Sequence, residues 1–192
     1  MLAQRLAEWL AQTSDQSSLA GCSVLELGSI GAGTGLAGLA AWRAGAKRVC
    51  LSDSSENVPR LQRKLRSAAI DGKPASIKVV ELDWTAPLSL TMAAKRFDLI
   101  LAADCVYRHE LIAPLLSTLR ALAGKDRHQR VLLATAADRG SFTEAFLTAA
   151  HAAGWAVTRQ EWPGAHTFPQ GSIEVLRHRQ CELHELRCGA RA

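Results

Sequence analysis

Short apolar runs alternate with amphipathic segments along most of the chain. The apolar runs predict β-strands at 22–27, 48–52, 77–82, 97–103, 130–136, 155–160 and 181–187. Several are continuous in Val, Ile and Leu, which is typical of parallel strands covered on both faces. The segments between them predict helices at 34–44, 55–70, 110–123 and 140–153. This alternation predicts an α/β fold with a doubly wound, mostly parallel sheet.

The two ends of the chain depart from that alternation. The first residues, MLAQRLAEWLAQ, carry Arg5 and Glu8 within an apolar stretch, which favours an amphipathic helix over a secretory signal. A looser segment, 162–180, separates the last two strands, so these can pair antiparallel at one edge of the sheet. Neither repeats nor linkers interrupt the pattern, and we expect a single domain over 1–192.

Composition narrows the class of protein. A length of 192 residues suits one α/β domain and is too short for two. No apolar run is long enough to predict a membrane-spanning helix. The five cysteines form no CxxC pair, which favours reduced thiols in a cytoplasmic protein, with the nucleus as a second location. The scattered histidines predict no metal site. The net charge of +5 fits a solvated helix face or a surface for an acidic partner.

The most informative stretch is VLELGSIGAGTGLAGLAAW, where a strand enters a glycine-rich turn and then a helix. Its glycines, Gly28, Gly31, Gly33, Gly35 and Gly38, allow a ligand to approach the backbone closely. In a doubly wound sheet this turn lies where ligands bind. The spacing fits both the dinucleotide motif GxGxxG and the ExGxGxG motif of S-adenosylmethionine (SAM) methyltransferases. Asp53, which ends the second strand, can bind the ribose of either cofactor.

Residues after the third and fourth strands separate these two hypotheses. Asp83 and Trp84, in ELDW, can border an adenine ring. Asp104 and Tyr107, in AADCVY, have the spacing DxxY and can hold a nucleophilic amine. A dehydrogenase would need a proton donor, and the chain has one tyrosine and no YxxxK. The pattern therefore favours SAM over NAD.

Taken in order, VLELG…GAGTGLAG, GAKRVCLSD, ELDW, FDLILAADCVY, LLSTLRAL and FLTAAHAAGWAV resemble the methyltransferase-like protein-lysine methyltransferases of eukaryotes. The resemblance covers roughly residues 20–190, and DxxY is its most specific mark. It implies a Rossmann-like seven-strand sheet with helices on both faces and the last strand antiparallel. It also implies transfer of a methyl group from SAM to a lysine of a protein, of the chaperone or translation-factor type, by an enzyme that we expect to be a monomer.

The resemblance also assigns roles to residues. Gly31, Gly33 and Gly35, with Gly28 before them, would contact the methionine and ribose side of SAM. Asp53 would hold the ribose hydroxyls, and Asp83 and Trp84 would border adenine. Ala103 would offer a backbone contact. Asp104 and Tyr107 would line the pocket of the target amine.

The chain departs from the family pattern in three places. Three residues are inserted after LELG, so either Gly28 or Gly31 can be the first loop glycine, and in the second case Glu26 loses its place beside the cofactor. The chain begins after the tryptophan-bearing segment that usually covers SAM, so residues 1–20 are expected to be a helix without that lid. Arg63 and Arg66 replace asparagines that are common in the family.

Other functions stay open from the sequence. A nucleic-acid amino-methyltransferase would usually carry [ND]PP[YF] after the fourth strand, and here the four residues are DCVY. A small-molecule N-methyltransferase would share the same cofactor site. A non-catalytic module with the same fold and an NAD dehydrogenase are the remaining alternatives.

Overall fold

A computed structural model of the chain describes residues 2–13, 19–28, 35–67, 76–123, 129–136, 139–161 and 181–188. Its strands are β1 (Ser23–Leu27), β2 (Arg48–Asp53), β3 (Ile77–Glu81), β4 (Leu99–Ala103), β5 (Arg130–Ala136), β6 (Trp155–Gln160) and β7 (Cys181–Cys188). Its helices are α1 (Leu2–Thr13), α2 (Leu36–Arg43), α3 (Val58–Ser67), α4 (Leu90–Ala93), α5 (Ile112–Ala123) and α6 (Gly140–Ala152).

The strands form one sheet in the order β3-β2-β1-β4-β5-β7-β6. Neighbouring strands from β3 to β5 run parallel, and β7 pairs antiparallel with both β5 and β6. The predicted seven-strand sheet with an antiparallel last strand is confirmed. The edge position belongs to β6, because β7 inserts between β5 and β6.

Two apolar layers cover the faces of the sheet. Successive side chains of a strand point to opposite faces, so β1 gives Val24 to one layer and Leu25 to the other. The first layer contains α1, α2 and Leu61 of α3, and the second contains α5 and Phe146 of α6. The continuous apolar runs in the sequence reflect this burial on both faces.

The predicted elements are all present where the structure describes the chain, with small shifts at their ends. The helix after β2 begins at Val58 rather than at 55, because residues 54–57 form a turn whose Asn57 N–H donates to the Ser54 carbonyl at 3.0 Å. The four-residue helix α4 was not predicted, since it is too short to show a periodic pattern. Ser89 caps it by accepting a hydrogen bond from the Met92 N–H.

The described residues include neither a candidate membrane-spanning helix nor a candidate metal-binding cluster. None of the described helices is long and apolar enough to cross a membrane. Within the same part of the chain, no group of three or more His, Cys, Asp and Glu side chains could hold a metal ion.

Candidate active site

The carboxyl ends of β1, β2, β3 and β4 surround a cavity of about 300 Å³. Such an edge is where open α/β sheets bind their ligands. Seven of the residues predicted from sequence line this cavity: Gly28, Asp53, Asp83, Trp84, Ala103, Asp104 and Tyr107. Gly35 lies elsewhere, and Gly31 and Gly33 fall outside the described residues. The sheet therefore brings together groups that are up to 79 positions apart in sequence.

Gly28 is the first residue after β1, and its φ of 61° lies in the left-handed region that glycine adopts readily. A Cβ at this position would stand 3.4 Å from both Cys105 Sγ and Trp84 Cζ2. The cavity wall is thus tight where the backbone turns. Of the two glycines that could open the loop, Gly28 directly follows the strand, and the end of β1 is not shifted.

Glu26 supports the helix behind the loop. Its carboxylate is buried and accepts hydrogen bonds from the backbone N–H groups of Gly38, at 2.8 Å, and Ala37. These belong to the first turn of α2, whose N–H groups have no partner within the helix. Burial raises the pKa of Glu26 to about 7, against the effect of the two N–H donors. Glu26 acts on the fold of the loop and does not line the cavity.

Gly35 begins α2 with a φ of 79°. A Cβ there would come within 2.9 Å of Leu51 Cδ1, a buried side chain of β2. Both the conformation and the space therefore require glycine for the fold. Among the described residues, Gly35 faces the apolar core rather than the cavity.

Asp53 is a buried carboxylate that is held in place by its neighbours in sequence. It is the last residue of β2 and is buried. Its Oδ1 accepts hydrogen bonds from the Ser54 N–H at 2.9 Å and from Asn57 Nδ2 at 2.8 Å. Such charge-assisted bonds are strong and directional. They fix the plane of the carboxylate at a position suited to two neighbouring hydroxyls.

Asp83 and Trp84 occupy the turn after β3 and differ in exposure. Asp83 is exposed, and its Oδ1 accepts hydrogen bonds from the Thr85 N–H at 2.8 Å and the Thr85 hydroxyl at 2.7 Å. These bonds hold the pKa of Asp83 below its usual range. The Trp84 indole is half-buried against Gly28, and its buried Nε1–H finds no acceptor among the described residues. A flat apolar wall with one unused donor suits an aromatic, polar ligand.

Asp104 and Tyr107 lie on the turn after β4. Asp104 has a φ of 56°, the one positive φ of a described residue that is not glycine. Its N–H donates to the Ala134 carbonyl at 2.9 Å, which ties the turn to β5. Tyr107 is 38% exposed at the mouth of the cavity. The DxxY spacing thus brings a carboxylate and a phenol ring to the same opening, as predicted.

Several polar residues that line the same cavity were not predicted from the sequence. Asn57, Ser54 and Thr85 lie in the turns that follow β2 and β3. Each follows a predicted acidic residue within four positions, and this proximity was the available signal. The buried thiol of Cys105, whose pKa is raised mainly by burial, was noted as a cysteine but not as part of the wall.

Comparison with known proteins assigns the chain to a family. Residues 1–153 match the family model described as lysine methyltransferase. The chain belongs to that family. The matched residues include β1 to β5, α6 and every residue that lines the cavity. The family resemblance inferred from the sequence is confirmed.

A curated relative is the protein N-lysine methyltransferase METTL21A of Danio rerio. It is 36% identical to the chain over 137 residues, which are 66% of this chain and 61% of the relative. The chain therefore spans about three fifths of the length of that relative.

Solved structures agree on the fold. The glycopeptide N-methyltransferase MtfA in complex with SAM superposes with a TM-score of 0.64 at 14% identity, covering 96% of this chain and 93% of that one. A putative tRNA (m1A22) methyltransferase of Streptococcus pneumoniae, also with SAM, gives a TM-score of 0.62 at 15% identity, covering 100% and 75%. These superpositions establish a common SAM-methyltransferase fold. The sequence identities are too low to identify a substrate.

Proposed function

We propose that this lysine methyltransferase family member transfers a methyl group from SAM to a lysine side chain of a protein substrate. The observation that carries the proposal is the single cavity that joins Asp53 at one end to Asp104 and Tyr107 at the other. Family membership and the relative from Danio rerio, whose name describes N-lysine methylation, support the reaction.

The residues present fit SAM at one end of the cavity. The carboxylate of Asp53 would accept hydrogen bonds from the ribose hydroxyls. Trp84 would form the wall of the adenine site, and its Nε1–H is a donor that the described chain leaves without an acceptor. Gly28 would let the cofactor approach where a Cβ would crowd Trp84 and Cys105. Once bound, SAM would supply a methyl group. The sulfur of SAM would keep the electrons of the broken bond to the methyl carbon and leave as a neutral thioether.

The residues at the other end would handle the target amine. A lysine has a pKa of about 10.4 in water and must lose its proton before its lone pair can attack. Asp104 is placed to accept a hydrogen bond from the amine and orient it, and Tyr107 forms a side of the entrance. Catalysis would rest mainly on this positioning, because SAM needs no covalent activation by the enzyme.

The finer features of the function are part of the same proposal. We infer a substrate of the chaperone or translation-factor type and a monomeric enzyme that acts in the cytoplasm and nucleus. The DxxY turn supports a protein target, because a nucleic-acid enzyme would usually place [ND]PP[YF] there.

The proposal is tested with purified protein, methyl-labelled SAM and a cell lysate, followed by mass spectrometry of the labelled species. We expect label on a lysine of one or a few proteins, and no label with Asp104→Asn. Label confined to RNA or small molecules would contradict the proposal. Calorimetry with SAM alone supplies the control, since an absence of binding heat would indicate a non-catalytic module.

A further inference from the structure

The side chain of Arg139 reaches the methyl-acceptor end of the cavity from outside its wall. Arg139 stands between β5 and α6, and its Nε lies 3.5 Å from Asp104 Oδ1. The two side chains are 35% and 23% exposed, so the pair is partly shielded from solvent. Ion pairs shielded in this way are screened less than surface pairs. The interaction can therefore influence any group that binds beside Asp104.

The backbone holds Asp104 toward β5, the strand that leads to Arg139. The hydrogen bond from the Asp104 N–H to the Ala134 carbonyl continues the parallel pairing of β4 and β5 beyond Ala103. A left-handed conformation costs a non-glycine residue about 1–2 kcal/mol, although Asp tolerates it better than most. Strain of this kind persists where surrounding structure enforces it, and here it coincides with a site residue.

The charges around Asp104 are unbalanced. The side chains that line the cavity include the carboxylates of Asp53, Glu56, Asp83 and Asp104. Among the described lining residues there is no Lys, Arg or His. The buried Glu26 carboxyl is close enough to Cys105 to act on its thiol electrostatically, and that thiol, neutral because burial raises its pKa, lies beside Gly28. On the segment that carries Asp104, Arg108 stacks over the Tyr107 ring at 5.5 Å and His109 follows.

An acidic cavity has opposite effects on the two steps that a lysine must complete. It attracts the lysine ammonium, and it also raises the pKa of that ammonium, which opposes loss of the proton. Asp104 would have the strongest effect because the amine binds to it. A guanidinium that shares the Asp104 carboxylate reduces the negative potential at the amine.

We propose that Arg139 is a positioning residue that orients the Asp104 carboxylate and offsets its charge, so that the target lysine is bound as a neutral amine. This inference rests on the proposed function. The proton of the incoming ammonium goes to water, and the carboxylate stays ionised throughout. The target amine and Arg139 then share Asp104 as a common acceptor.

Arg139→Gln tests the proposal, with Arg139→Lys as the charge-preserving variant. Arg159→Gln is the matched control, because Arg159 forms an ion pair with Glu182 at 3.3 Å on β6 and β7, away from the cavity. The first measurement is the titration of the Asp104 carboxyl by ¹³C NMR on the protein alone, assigned with Asp104→Asn. We expect Arg139→Gln to raise the pKa of Asp104 by about 0.5–1 unit, and Arg139→Lys and Arg159→Gln to leave it nearly unchanged.

The second measurement is the pH profile of kcat at saturating SAM and saturating substrate, the substrate being the one found by labelling, because kcat reports the ionisation of groups in the bound complex. We expect the rising limb to move by about 0.5–1 unit to higher pH in Arg139→Gln, since the amine is then held more strongly as ammonium. The loss at pH 7.5 would be about 3- to 10-fold and would largely disappear above pH 9. Arg139→Lys should restore the wild-type profile, and the dissociation constant for SAM should stay within about twofold.

Two results would overturn the role of Arg139. One is an Asp104 pKa that is the same with and without the guanidinium, and the other is a loss of activity that is equal at every pH. If the wild-type enzyme methylates no protein, the proposed function fails, whereas the NMR titration still decides whether Arg139 controls Asp104. Should Arg139→Gln not fold, as judged by circular dichroism, Arg139→Met, which also removes the charge, takes its place in both assays.

Discussion

The two ends of the cavity hold their carboxylates in different ways. At the cofactor end, Asp53 is buried and its Oδ1 accepts two hydrogen bonds shorter than 3.0 Å, from Ser54 and Asn57. At the acceptor end, Asp104 is partly exposed and meets Arg139 at the longer distance of 3.5 Å. The first carboxylate is fixed in one geometry by neighbours in sequence. The second is held by a longer contact that an incoming amine can share.

This difference matches the two tasks proposed for the site. A cofactor presents the same hydroxyls in every cycle, so a rigid acceptor avoids an entropic cost at each binding event. A protein substrate arrives as a flexible, charged side chain that must change its protonation state before it reacts. A carboxylate with an exchangeable partner suits that step better than one that short hydrogen bonds fix in a single orientation.

The largest expected effect is at the acceptor end. Asp104→Asn keeps the size of the side chain and tolerates the left-handed backbone, but it removes the charge. We expect kcat/KM for methylation to fall by about 100-fold or more, since misplacement of a reacting group costs about that much. The dissociation constant for SAM, measured by calorimetry, should change little. Full turnover by Asp104→Asn would show that Asp104 does not orient the target amine, and the proposed division of the cavity into a cofactor end and an acceptor end would be wrong.

The next effect concerns the buried Glu26, whose carboxyl group accepts hydrogen bonds from the first turn of α2. Its pKa is about 7 in the folded protein, raised by burial, and about 4.3 for an unperturbed Glu. Below the unfolded value both states are protonated and the folded state keeps its full stability. As the pH rises toward 7 the unfolded chain loses its proton first, so folding is weakened by on the order of 3 kcal/mol in total.

Urea unfolding of the wild type and of Glu26→Gln between pH 4.5 and pH 8 measures this slope. As the pH rises, the free energy of unfolding of the wild type should fall relative to that of Glu26→Gln. This relative loss should level off above pH 7 to 8. Parallel curves would show that Glu26 does not titrate in this range. The first turn of α2 would then be capped by a carboxylate that stays charged throughout this range.

The sequence alone was sufficient for the fold because the signals for it are local. The short, continuous apolar run of Leu99–Ala103 is typical of a strand buried on both faces, and the helix of 140–153 shows an apolar stripe. The main acidic residues of the site could also be predicted from the sequence. Asp53, Asp83 and Asp104 each follow a predicted strand, and the carboxyl ends of parallel strands meet at one edge.

What the sequence could not give depends on contacts between distant residues. Gly35 was predicted to bind the cofactor because it lies in a glycine-rich motif, whereas its closeness to Leu51 on β2 could not be read from the sequence. The interaction of Arg139 with Asp104 joins residues 35 positions apart and needs the pairing of β4 with β5. The order of the last two strands was equally hidden, because either could have taken the edge.

The third prediction concerns the contribution of the Asp53 carboxylate to SAM binding at the cofactor end. Asp53→Asn removes the charge of the carboxylate and replaces one oxygen by an amide group. Hydrogen bonds to a charged group contribute about 1.5–3 kcal/mol, so the dissociation constant for SAM should rise about 10- to 100-fold. Asp98→Asn is the control, because Asp98 accepts a hydrogen bond from the Ser23 N–H at the opposite end of the sheet. An equal loss of affinity in both variants would indicate general destabilisation instead.

The smallest expected effect is that of Asn57. It shows whether Asn57 contacts the cofactor directly or acts only by orienting Asp53. Asn57→Ala removes the 2.8 Å hydrogen bond to Asp53 Oδ1 and leaves the Ser54 N–H in place. A single hydrogen bond contributes about 1 kcal/mol, so SAM should bind about fivefold more weakly. The decisive measurement is the double variant with Asp53→Asn. If Asn57 acts only by orienting the carboxylate, its loss should add almost nothing once that carboxylate is gone. Additive losses would show that Asn57 binds the cofactor directly, and the cofactor end would then have two independent contacts where the acceptor end has a shared one.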